Sequence, residues 1–299
     1  MAGTYILDSR RRFRRVVGHH AGAMATIESM DAAGVAEAME WAADEGWEPG
    51  FGDAEPFFAA DPGGFFRSEI DGRTGATLSV VRGSEEVAFV GLYIVTPRLR
   101  GQGYGRELWN QVLGRFDGIT LGLDAVPAQV ESYRAAGFET AHENARYSAE
   151  RLPGPDGSIE TVPATEVEFE ALAAFDGAHF FGPRPEFLRR WIAGPGRDAL
   201  TIVDGGEITG FAASRQTASG HRIGPIFADD ATSARALILG LADRIDGRVA
   251  FDLPQHPAGI ELAGSMDLER GFETTRMYRG RPPELPLERI FGITTLELG

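Results

Sequence analysis

The chain has 299 residues, 43% of them hydrophobic, a length that buries a full core and favours two domains. Its formal charge is −15, with no lysine among 29 basic residues, and such a surface repels nucleic-acid phosphate. Without cysteine it has no disulfide, no thiolate nucleophile and no cysteine zinc site, and no run approaches the roughly 18 apolar residues of a membrane span, so a cytoplasmic protein without membrane or nucleic-acid partners is expected.

In chain order, the arginine run Arg10 to Arg15 lacks the apolar core of a secretory signal. Residues 1–23 are expected to be a disordered, arginine-rich extension, with Met24 opening the first strand. A tryptophan-containing loop, Trp41 to Gly50, carries Trp47 and Glu48 and leads to Phe51, Phe57 and Phe58. Val87 to Val95 is nearly all apolar, which predicts a strand buried on both faces. Next comes Arg100-Gly101-Gln102-Gly103-Tyr104-Gly105-Arg106, and then Tyr104, Leu108, Trp109, Val112 and Leu113 recur at helical spacing. A glycine loop opening a helix presents unsatisfied N–H groups at the positive end of the helix dipole, a cradle for pyrophosphate. The spacings of the dinucleotide fingerprint and of the nucleotide-triphosphate loop are both absent. A short strand, Ile119 to Leu123, ends at Asp124; Gln129 to Ala136 reads as a helix, and a further strand closes near Tyr147.

The pattern then repeats. Gly137-Phe138-Glu139-Thr140 recurs as Gly271-Phe272-Glu273-Thr274, and Asp71-Gly72 with Thr74-Gly75 is echoed by Asp204-Gly205 with Thr209-Gly210. Prolines and glycines at 153–158 mark a linker between a first domain, 24–152, and a second, 159–299. In the second copy Ile223 to Phe227 stands in place of the Val87–Val95 strand. Ala228-Asp229-Asp230-Ala231-Thr232-Ser233 replaces the glycine loop, and Tyr133 falls on Asp267. Two aspartates there would oppose a pyrophosphate, so the second half keeps the fold without the reaction.

The R-x-x-G-x-G of Arg100 to Gly105, after Val95-Thr96-Pro97, resembles motif A of the GNAT superfamily of acyl-CoA-dependent N-acetyltransferases. Tyr133-Arg134-Ala135-Ala136-Gly137-Phe138 is similar to that family's Y-x-x-x-G-F. The segments Trp41 to Gly50, Gly122 to Gln129, Phe291 to Thr294 and Glu297 to Gly299 resemble a subgroup in which an acetyltransferase domain precedes a diverged GNAT-like domain.

The resemblance implies an α/β (α+β) fold in tandem duplication, with a mixed central sheet flanked by helices in each half. It implies acetyl-CoA as co-substrate, bound by the main chain at Tyr93, Ile94 and Val95 and by Arg100, Gly101, Gln102, Gly103, Tyr104, Gly105 and Arg106. Tyr133 would be the general acid, and the primary amine of a small acceptor would attack directly. Where many members carry a strand glutamate this chain has Phe89, which leaves Asp124 and Glu48 as candidates to deprotonate or orient the amine. Trp47 and Phe51 would join them in the acceptor pocket, and the acidic composition suggests a cationic acceptor. The structural alternatives are a helix N-cap for Asp124 and a solvated loop carboxylate for Glu48, with His142 a third candidate base. A catalytically weak acyl-CoA-binding or regulatory protein is the alternative function. No histidine and carboxylate cluster has metal-site spacing, so no metal is expected.

Overall fold

The computed structural model describes residues 17–20, 23–155 and 157–299, so the arginine run at 10–15 lies outside the described residues. The first half runs β1 (Val17–His20), β2 (Ala23–Ser29), α1 (Ala32–Asp44), α2 (Ala54–Ala60), β3 (Phe65–Ile70), β4 (Arg73–Arg82), β5 (Val87–Val95), α3 (Tyr104–Leu113), β6 (Thr120–Ala125), α4 (Val130–Ala135) and β7 (Glu139–Ala149). The second runs β8 (Val162–Pro163), α5 (Phe169–Ala178), α6 (Pro185–Trp191), β9 (Arg197–Asp204), β10 (Glu207–Thr217), β11 (Gly220–Ala228), α7 (Ala231–Ala242), β12 (Val249–Pro254), α8 (Pro257–Ser265), β13 (Glu269–Arg279) and β14 (Ile290–Gly292). The sheet therefore starts before Met24: β1, inside the segment expected to be disordered, pairs antiparallel with β2 from Val17↔Thr26 to His20↔Ala23.

Each half repeats the order that the sequence predicts, but the halves do not own separate sheets. All strands join one sheet in the order β1-β2-β3-β4-β5-β6-β13-β7-β12-β11-β10-β9-β8, with β14 on β11 beside that path. The last strands are exchanged. β13 of the second half pairs with β6 of the first, Thr275↔Ala125 to Arg279↔Leu121, and β7 of the first pairs with β12 of the second, Val249↔Ala149 to Pro254↔Asn144.

A matched pair of ion pairs fixes the exchange. Arg276 on β13 sits opposite Asp124 on β6, its Nε and Nη2 donating at 2.7 and 2.8 Å. Arg146 on β7 sits opposite Asp252 on β12, donating at 2.8 and 3.0 Å. Main-chain ladders and bidentate charges thus tie each half to the other, and neither sheet is complete alone. Residues 24–158 expressed separately are expected to show no cooperative thermal unfolding by circular dichroism, whereas the full chain melts in one transition.

Helices α3 and α4 pack on one face of the first half, with Leu108 and Val112 against Ala88 and Val90, and α7 packs likewise in the second with Leu237 and Leu241. On the opposite face α1, α2, α5 and α6 share a single core around Val35, Phe57, Leu172, Phe187 and Trp191, which joins the halves a second time. Among the described residues, no helix is long and apolar enough to cross a membrane.

Candidate active site

Strand alternation in β5 breaks at one residue. Ala88 and Val90 face α3, yet Leu92 and Ile94, also even-numbered, face the α1 and α2 side. A bulge causes the reversal: Ser79 pairs with Gly91 and Thr77 with Ile94, which leaves Leu92 and Tyr93 against Leu78 alone. Leu92 takes a left-handed φ of 45°, and the buried Thr77 hydroxyl donates to its carbonyl at 2.8 Å. Beyond the bulge the strands part, because β5 and β6 pair in parallel only from Val87↔Thr120 to Phe89↔Gly122. Tyr93, Ile94 and Val95 are thereby left without a strand partner on their β6 side.

This splay opens toward α3. Gly103, with φ 93°, is the N-cap of α3, and no side chain caps the helix. Gly101 also has a left-handed φ, 75°, with open space where a side chain would project. Gly105 lets the helix close on β5, since a Cβ there would lie 2.7 Å from both the Tyr93 hydroxyl and a Val95 methyl. The unsatisfied main-chain N–H groups and the dipole of a helix's first turn are the features that suit such a turn to an anion. Gln102 and Arg106 are exposed on the same turn. Arg100 is differently placed from the sequence expectation: it donates to the Val95 carbonyl at 2.9 Å and pairs with Glu45 at the end of α1, tying the loop to the tryptophan-containing segment.

Tyr133 of α4 stands beside the splay in an aromatic stack, its ring 5.6 Å from Trp109, which in turn lies 5.3 Å from Tyr93. Phe138 closes the group 6.0 Å from Tyr133. Burial, reinforced by the nearby Tyr93, pushes the Tyr133 phenol up to about 12, so it keeps its proton.

The proposed carboxylates are otherwise engaged. Asp124 lies inside β6 and caps no helix; Oδ1 accepts from Arg276 Nε and from Asn144 at 2.9 Å, Oδ2 accepts from Arg276 Nη2, and the side chain is fully buried. Burial alone would depress the Arg276 guanidinium, and Asp124 more than reverses this, raising its pKa. The Asp252–Arg146 pair repeats this arrangement in the second half, which identifies Asp124 as part of the exchange rather than of an amine site. Glu48 accepts from Arg222 at 2.9 Å. Burial would raise its carboxyl, but hydrogen bonds from Ser219 and Arg222 and the charges of Arg222 and Arg146 hold it below its ordinary value, unsuited to a base. Burial, Arg276 and His256 push His142 down to about 3. Trp47 and Phe51 are exposed on the α1–α2 loop, which is anchored where the Phe51 N–H donates to Gln216.

The second half has the same frame closed at each point. Its strands β11 and β12 pair in parallel only at His221↔Val249 and Arg222↔Ala250, and β14 lies in the gap on β11, with the Ile293 N–H donating to the Asp252 carbonyl at 2.9 Å. The bulge occurs at Gly224-Pro225, so the place of Tyr93 is held by a residue without an N–H. Asp230 caps α7, accepting from the Ser233 N–H at 2.8 Å, and thus puts a carboxylate where an anion would sit.

A parallel strand pair that splays at a bulge and leads into an uncapped helix is the frame of an α/β acyltransferase. Two matches to the family described as acetyltransferase (GNAT) domain cover residues 71–150 and 172–292. The chain is also 34% identical over 266 residues to the holothin acyltransferase of Pseudoalteromonas sp. (strain SANK 73390), across 87% of this chain and 90% of that protein. It belongs to the GNAT family of acetyltransferases.

Among solved structures it is similar to a putative acetyltransferase from Pyrococcus horikoshii, with TM-score 0.77, 19% identity and coverage of 92% of this chain and 96% of that one. It is also similar to a tandem GNAT protein from the clavulanic acid biosynthesis pathway, with TM-score 0.60, 15% identity and coverage of 87% and 100%. At these identities the likeness is one of fold, and it bears out the duplicated α/β architecture.

Proposed function

We propose that this enzyme, acting in the cytoplasm, transfers an acetyl group from acetyl-CoA to the primary amine of a small acceptor at the first half alone, while the second half serves as scaffold. The observation that carries the reading is the contrast between two equivalent helices: α3 begins on glycine with no cap, and α7 begins on its own aspartate. The pyrophosphate would rest on the turn from Gly101 to Arg106, and the pantetheine arm would run beside Tyr93, Ile94 and Val95. A relative that acylates holothin supports a small molecule as the acceptor. Because Asp124 and Glu48 are neutralised by arginines, they do not support a requirement for a cationic acceptor.

In the reaction the amine nitrogen attacks the thioester carbonyl, whose developing negative charge is stabilised by main-chain N–H donors at the splay. The C–S bond breaks, and Tyr133 gives its proton to the departing thiolate. With its pKa near 12 the phenol is protonated through the neutral range, and its contribution is lost only as pH rises toward that value. Tyr133→Phe is expected to lower kcat by about 10²-fold while leaving acetyl-CoA affinity unchanged. Calorimetry of the full chain with acetyl-CoA should give one site per chain, and a primary-amine library with detection of released CoA thiol should identify the acceptor. Two equivalent sites, or no release with any amine, would overturn the proposal.

A further inference from the structure

We propose that Glu297, carried in by the closing segment of the chain, is the proton acceptor for the attacking amine, in place of the strand glutamate that this sequence replaces with Phe89. The inference rests on the acetyl-transfer reading above and adds its missing base.

After β14 the chain leaves the second half and crosses to the first. Thr294 is held on the way by Arg184, which donates to its hydroxyl at 2.9 Å, and by Arg215, which donates to its carbonyl at 3.4 Å. The segment then runs against β5 at the residue before the bulge. Gly91 has no room for any side chain, since a Cβ there would lie 2.2 Å from the Glu297 carbonyl oxygen. Gly299 meets Phe89 and Phe181 in the same way, so residues 297–299 lie along the face of β5 that bears Phe89. The closing segment therefore puts the main chain of Glu297 against the strand on which the family's base is missing, next to the bulge where the thioester would be polarised.

The surroundings suit a base. Glu297 is partly exposed as a residue, but its carboxyl is enclosed between the two halves. Its carboxylate takes the Thr295 hydroxyl and faces Arg215 of β10 and Asp53, which precedes α2; Asp53 in turn is held by Arg197 of β9 at 2.6 Å and by Arg215 at 3.0 Å. Burial and Asp53 raise its proton affinity, while Arg215 and Thr295 oppose them. This contrasts with Glu48, whose partners depress it. As the C–N bond forms, the nitrogen proton passes to the Glu297 carboxylate, the C–S bonding pair leaves with sulfur, and the thiolate takes the Tyr133 proton; solvent then restores both side chains.

The test is CoA release from acetyl-CoA with hydroxylamine as acceptor, measured across pH for the wild type, Glu297→Gln and Glu297→Ala, with calorimetric acetyl-CoA binding and thermal melting alongside. The expected result is a fall in kcat of about 10²-fold or more in both variants, loss of the acid limb of the pH profile, unchanged acetyl-CoA binding, and partial rescue of Glu297→Ala by formate. If Glu297→Gln melts early, the formate rescue decides, because a packing role gives none. Full turnover with an unaltered pH profile, or absence of rescue in a folded Glu297→Ala, overturns the assignment of Glu297 and leaves the acetyl-transfer reading intact. A wild type that binds no acetyl-CoA, or binds it and releases no CoA to hydroxylamine or to any member of the primary-amine library, overturns both.

Discussion

Replacing Gly103 by valine is expected to abolish acetyl-CoA binding, with no calorimetric signal where the wild type saturates. The residue caps α3 at a φ of 93°, so a β-branched side chain is strained there and projects over the N–H groups that would hold the pyrophosphate. The strain costs about 1–2 kcal/mol, which a domain with the usual 5–15 kcal/mol of stability survives, so the fold is kept while the site is lost. Gly103→Asp is expected to give the same loss by another route. It copies Asp230 of the second half, whose carboxylate satisfies the first turn of α7 and carries the charge an anion would bring. Binding of acetyl-CoA to Gly103→Asp with wild-type affinity would show that α3 is not the anion site.

The second large effect is on stability. Arg276→Leu leaves the Asp124 carboxylate buried without its guanidinium, in a pair whose two side chains are 2% and 0% exposed. Removing one partner of a buried pair typically costs about 3–5 kcal/mol, to be read as a shift in the urea midpoint. Arg281→Leu breaks a pair with Glu284 on the exposed surface and is expected to leave the midpoint in place. The double variant Asp124→Leu with Arg276→Leu should recover much of the loss, because the cost arises from the stranded charge rather than from the missing contact. A wild-type midpoint for Arg276→Leu would mean that the exchanged strands are held by their main-chain ladders alone.

The frame of the site was legible because local pattern encodes it: an apolar run for β5, a glycine turn, a helical stripe for α3, and a tyrosine four residues before Gly137-Phe138. Chemistry that depends on distant chain segments was not. Asp124 reads as a free carboxylate until Arg276 is brought opposite it from 152 positions away. The echo lies in the strands: Asp124 of β6 answers to Asp252 of β12 and Arg146 of β7 to Arg276 of β13, whereas the Gly137-Phe138 repeat does not mark equivalent positions, since Gly271 lies inside β13 and Asp267, with φ 53°, takes the place of Gly137. Arg100 stands in the motif as a phosphate ligand, but in the fold it bonds Glu45 and the Val95 carbonyl. Glu297 lies in a closing segment that resembles the subgroup, but nothing in that segment marks a base. Its segment has no echo in the first half, and only the empty side of Gly91 shows where it fits.

Exchange of the last strands also sets the order in which a nascent chain becomes an enzyme. β6 leaves the ribosome with its outer edge unpaired, and the strand that covers it ends at Arg279, 154 residues later by number. At about 5–20 residues per second that is an interval of roughly 10–30 s during which the first half would present a bare sheet edge open to other chains. Synthesis of the second half is thus expected to complete the first, and a chain stalled in the linker is expected to be a substrate for chaperones and proteases rather than a half-size enzyme.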